Sequence, residues 1–222
     1  MIETSPRPNL VWSARRLGSL LEAFAFVALV AWYIWRMQTA SVWSWGLLLV
    51  WMLLSFLLHR DTPKTLGWRA DNLKSATRRA LFFFVSASIF LVIAGSFLGM
   101  MQRLPVHLID PHRFVGYLSF CVLQQVCFNS YLTNRLLGAF EGNVWAALAA
   151  GTAFAALHWP NPVLVPLTWI AGVGMAWLFA RDRNILPLAL GQALLGALVW
   201  WTFPVLWHHS MRVGPGYWTF HM

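Results

Sequence analysis

Seven apolar runs separated by short polar stretches leave this chain few ways to fold. They extend from Leu17 to Trp35, Val42 to Leu58, Ala80 to Met101, from near Phe114 onward, Val144 to Leu157, Val163 to Ala180, and Ile185 to Leu206. About 20 apolar residues suffice for a helix to cross the hydrocarbon core of a bilayer. Inside that core no water meets the backbone N–H and C=O groups, so each run must satisfy its own, as an α-helix does. Composition points the same way: the chain is 59% hydrophobic and only 10% charged, whereas soluble domains carry about 25% charged residues. A soluble fold is excluded. The pattern predicts an all-α, polytopic transmembrane bundle of about seven spans, one membrane domain over residues 1–222. The fifth run is short for a crossing and also fits a tilted or re-entrant helix. His158-Trp-Pro-Asn-Pro162 ends it, because two prolines in three positions do not continue a helix.

The net charge of +9 invites a nucleic-acid reading, but no contiguous basic groove is visible in the sequence, so no nucleic-acid partner is expected. The cations follow the loops instead. Of 16 Lys and Arg, twelve fall in segments that seven spans place on the side of the N-terminus: Arg7, Arg15 and Arg16, six between His59 and Arg79, Arg135, Arg181 and Arg183. Arg36, Arg103, Arg113 and Arg212 fall on the other side. Positive loops stay inside, so the N-terminus is expected to be cytoplasmic, and the first run reads as a retained signal-anchor of a bacterial inner-membrane protein. Glu22 is the one acid clearly within an apolar run, and fits either the membrane boundary or a buried functional carboxylate. Cys121 and Cys127, six residues apart on one helix, point about 120° apart and are expected to be free thiols.

The fourth run is the unusual one. Phe120-Cys-Val-Leu-Gln-Gln-Val-Cys-Phe-Asn-Ser-Tyr-Leu-Thr-Asn-Arg135 sets Gln124, Gln125 and Asn129 near the middle of a span that should be hydrocarbon. At 3.6 residues per turn Gln125 and Asn129 share a face, with Gln124 turned about 100° away. Amides donate and accept together, so this helix can bond neighbours on two sides, but it supplies neither negative charge nor a strong base. Two further polar points follow: His158, and Gln192 between Gly191 and Gly196, where glycines admit a close helix. Each alone reads as interhelical glue. Together, on three helices, they suggest a shared internal cavity. No P-loop, dinucleotide fingerprint, CxxC, HExxH or internal repeat is present.

These residues resemble the CPBP family of CAAX prenyl endopeptidases and bacteriocin-processing membrane proteins. The first family motif, Glu-Glu-x-x-x-Arg, falls on Gln124-Gln125-Val-Cys-Phe128-Asn129. The second, Phe-x-x-x-His, is intact as Phe154-Ala-Ala-Leu-His158. The third, His-x-x-x-Asn, falls on Gln192-Ala-Leu-Leu-Gly196, and Leu66-Gly-Trp-Arg resembles the usual lead-in. The similarity covers about residues 62–203. It implies a catalytic cavity in which glutamates and histidines activate water, at positions held here by Gln124, Gln125, Asn129, His158 and Gln192. A neutral amide is far too weak a base for that role, and one histidine does not make a zinc site, so no metal is expected. The leading expectation is a catalytically degenerate member that binds a hydrophobic ligand, a lipidated or hydrophobic peptide, or a partner membrane protein. The alternatives are an endopeptidase of altered chemistry, with His158 helped by Glu22 or Asp110, and a structural subunit of a pigment- or quinone-containing complex. The last is suggested by the 15 Trp and 16 Phe and by His107, His112, His158, His208 and His209. No particular cofactor is implied.

Overall fold

The computed structural model describes residues 14–220 except 39, 42, 99 and 101–109. His107 and Arg103 therefore lie outside the described residues. Among those described, every regular element is a helix: α1 (Ala14–Trp32), α2 (Trp45–Leu58), α3 (Leu73–Phe97), α4 (Pro111–Gln125), α5 (Asn134–Ala139), α6 (Asn143–Ala156), α7 (Leu164–Asp182), α8 (Leu186–Thr202), α9 (Val205–His208) and α10 (Pro215–Trp218). Two stretches wind more loosely, as π-helix: Tyr33–Met37 after α1, and Val126–Thr133 between α4 and α5.

The helices run between two ends that differ in chemistry. At the basic end Arg16 pairs with Glu141, Asp61 with Arg135, and Arg79 with Asp182. At the opposite end the backbone N–H of Gly214 donates to the Trp159 carbonyl. Nearby, Asn161, fully buried, donates to the carbonyls of His208 and Arg212 while accepting from the N–H groups of Val163 and Leu164. One side chain thus starts α7 and ties down the C-terminal segment.

Small residues set the helix spacing, as membrane packing requires where no hydrophobic force separates helix from lipid. α6 and α7 cross at Gly151 and Gly172, where a Cβ on Gly172 would stand 3.1 Å from the Gly151 Cα. Gly191 of α8 lies against the Phe84 ring of α3, and Gly196 against the Tyr117 hydroxyl of α4. The expectation of tight packing around Gln192 is borne out. In the loop before α3, Gly67 takes a left-handed φ of +89°, and a Cβ there would meet Phe179 at 2.7 Å and Ile185 at 3.0 Å. Its carbonyl accepts from the Ile185 N–H, so the Leu66-Gly-Trp-Arg lead-in is a strap across the α7–α8 junction.

Among the described residues three helices are long and apolar enough to cross a membrane: Ala14–Met37, Leu73–Phe97 and Leu164–Asp182. A fourth is counted if Leu186–Thr202 and Val205–Met211, which meet at 120°, form one broken span. Seven crossings are therefore more than length and composition show. α2 and α6, at 14 residues each, are about 21 Å long against a core of about 30 Å. The last apolar run is not continuous: Pro204 forces Phe203 out of the helical region, to φ −103° and ψ 142°. α3 starts earlier than hydropathy indicates, so Lys74, Arg78 and Arg79 ride on its first turns rather than in a loop.

Candidate functional site

Where α4 gives way to the π-helical segment, four of the five motif positions meet. Asn129 Nδ2 donates to Gln125 Oε1 at 2.5 Å, Gln125 Nε2 donates to Gln192 Oε1 at 2.6 Å, and Gln192 Nε2 donates to Gln124 Oε1. Each amide hands one donor to the next amide's carbonyl, so the chain is directional and spans α4, the π-helix and α8. Gln125 and Asn129 are fully buried. Gln125 also reaches the Met175 sulfur on α7 at 3.1 Å. The shared face of Gln125 and Asn129 survives the loosened winding, because an i to i+4 contact persists at the boundary. π-helix is rare and recurs at functional sites. Here it buries six consecutive residues, Phe128 to Thr133.

His158 stands apart from this chain. Its Nδ1 lies 2.6 Å from the Phe154 carbonyl of its own helix, and its ring meets the Phe154 ring edge-on, with centroids 4.7 Å apart. Phe154 in turn packs on Phe128, at 4.5 Å between centroids. The second motif therefore touches the first through packed rings, not through a hydrogen bond. Glu22 and Asp110 are engaged elsewhere. Asp110 caps α4, accepting from the His112 N–H at 3.0 Å. The third motif's last position, Gly196, has its side-chain space filled by Tyr117, whose hydroxyl would lie 2.1 Å from a Cβ there. Four amides and one imidazole are a donor set that does not fit a divalent metal. Among the described residues no three of His, Cys, Asp and Glu gather around one point.

A second polar cluster, only partly anticipated, sits at the basic end. Glu22 of α1 accepts from Ser55 and, at 3.0 and 3.2 Å, from the Tyr131 hydroxyl and Arg135 Nε; its other oxygen lies 2.7 Å from His59 Nε2. Trp51 Nε1 donates to the Tyr131 hydroxyl at 2.6 Å. Arg135, counted above among the loop cations, is instead 4% exposed and also donates to Asp61 at 2.7 Å. The clue in the sequence was Glu22, a lone acid in an apolar run, together with an arginine ending a polar helix. Cys121 and Cys127 are free thiols.

The fold and its amide chain define a bundle of apolar, membrane-type helices built around a polar motif site. Residues 111–198 match the family model described as type II CAAX prenyl endopeptidase Rce1-like, and the resemblance to the CPBP family is thereby shown over that stretch. Comparisons with curated proteins and with solved structures gave no match.

Proposed function

We propose that this protein is a CPBP-type membrane protein that binds rather than cleaves, holding a hydrophobic ligand, a lipidated peptide or a partner membrane protein. The observation that carries the reading is the amide chain itself. Four of the five motif positions converge, yet the groups there are neutral amides joined to one another by hydrogen bonds. Glutamine keeps the shape of glutamate and removes the base that would take a proton from water. In this reading the chain crosses the bilayer seven times with its N-terminus cytoplasmic. Support comes from the gathering of Arg16, Asp61, Arg79, Arg135 and Asp182 at one end, since Arg16, Arg79 and Arg135 all belong to the cations that the positive-inside count assigns to the cytoplasmic side.

The test is a farnesylated CAAX-type peptide incubated with the purified protein, with binding and cleavage followed separately. Saturable binding without hydrolysis, unchanged in His158→Ala, is the expected result. A second reading, an endopeptidase centred on His158, has one observation in its favour: the Phe154 carbonyl engages Nδ1, which leaves the Nε2 lone pair available. Cleavage by the wild type that disappears in His158→Ala would establish that reading and end the first.

A further inference from the structure

Between α3 and α7, away from the amide chain, lies an open groove of about 830 Å³, within the ~300–1,000 Å³ range of small-molecule sites. None of Gln124, Gln125, Asn129 and Gln192 lines it. Ser86 and Ala87 on one helix and Ala171 and Gly174 on the other line it, together with Leu195 and Val199 of α8. Its walls are apolar along their length except at the basic end, where Arg78, Arg79 and Arg181 close it.

The three arginines are not equivalent. Arg79 spends its guanidinium on both oxygens of Asp182, at 2.8 and 2.5 Å. That commits the nearby carboxylate and leaves Arg78 and Arg181 with no ion pair among the described residues, both exposed. Arg181 lies over the Trp177 ring, 5.8 Å from its centroid. Tryptophan favours the headgroup level of a bilayer, so the two uncompensated cations stand at the depth where lipid phosphates are found, at the mouth of a slot shaped for hydrocarbon.

We propose that this groove is a specific site for an anionic phospholipid, its acyl chain between α3 and α7 and its phosphate between Arg78 and Arg181. The argument is charge complementarity joined to an apolar trough: a zwitterionic lipid fills the same trough but brings no net charge to the arginines. Basic pockets between transmembrane helices bind anionic headgroups in this way. The site stands independently of whether the amide chain binds or cleaves peptides.

The test is native mass spectrometry of the full chain released from detergent after equilibration with equimolar phosphatidylglycerol and phosphatidylcholine. The wild type should retain phosphatidylglycerol preferentially, with one molecule held most tightly. R78Q/R181Q should lose about 30-fold of that preference, at roughly tenfold per 1.4 kcal/mol and about 1 kcal/mol per cation. The single variants should each lose about fivefold, and they carry the test if the double variant does not assemble. K74Q removes a charge from the same helix outside the groove and should change nothing. A171F, which fills the trough, should expel both lipids alike. An unchanged lipid ratio in the arginine variants, or an equal loss in K74Q, would overturn the assignment. So would one-for-one displacement of the lipid by a farnesylated peptide, which would make the groove a peptide site.

Discussion

A single amide shows how little of a buried hydrogen bond's importance lies in its average strength. Gln125 bonds Asn129, Gln192 and Met175, whereas Gln124 takes part in the chain through one donated bond from Gln192 and is half-buried. Removing Gln125 leaves Asn129 Nδ2 and Gln192 Oε1 without partners in a dry interior. Gln125→Leu should therefore destabilise the protein by about 1–3 kcal/mol. Gln124→Leu should cost near the ~0.6 kcal/mol typical of one interhelical bond. Unfolding midpoints in detergent micelles measure both, and equal losses would show that the chain is not centred on Gln125. The amide pattern was legible in the sequence because polar residues in an apolar run stand out. That His158 bonds its own helix rather than the chain was not, since a motif gives spacing along the chain and says nothing of where a ring nitrogen finds its acceptor.

Helix against helix, contacts are decided by close approach. Gly196→Ala puts a methyl 2.1 Å from the Tyr117 hydroxyl, with the next ring atoms at 3.0 and 3.3 Å. Overpacking of this kind costs about 1–3 kcal/mol. Because the nearest clash is with the hydroxyl alone, Gly196→Ala combined with Tyr117→Phe should recover a good part of the loss. A double-mutant cycle on thermal stability checks this, and additive effects would refute it. The charged cluster joining α1, α2 and α5 offers a contrast. Arg135→Ala takes the guanidinium from Glu22 and Asp61, 18% and 10% exposed. Glu22 keeps His59, Ser55 and Tyr131 and Asp61 keeps Asn134, so the loss should fall at or just below the ~3 kcal/mol end of the range for breaking a buried pair. Arg16→Ala breaks a pair 43% and 79% exposed and should cost at most about 1 kcal/mol. Denaturation of the two variants side by side gives the comparison. Sequence alone made Arg16 and Arg135 alike, two cations counted for one side of a membrane; burial separates them.

For the whole molecule, the seven-span, N-inside arrangement predicts where each end is reached by solvent. Lys64→Cys at the basic end should react with a membrane-impermeant maleimide only after permeabilisation, and Thr219→Cys at the other end should react in intact cells. The opposite pattern would invert the protein in the membrane. Wild-type protein supplies the background, set by the native thiols, Cys121 buried and Cys127 half-buried. What the sequence determined by itself was the helical class, the apolar runs, the uneven share of cations between loops, and the spacing of three motifs, because hydropathy and i to i+4 periodicity are local properties of a chain. What only the tertiary structure decided was which polar groups meet. Gln192 reaches Gln124 and Gln125 across 68 and 67 residues, and Glu22 reaches Arg135 across 113. Arg79, not Arg78, takes Asp182. Such pairings depend on how helices rotate and approach under packing, and in a bilayer the cost of an unpaired polar group makes them strict.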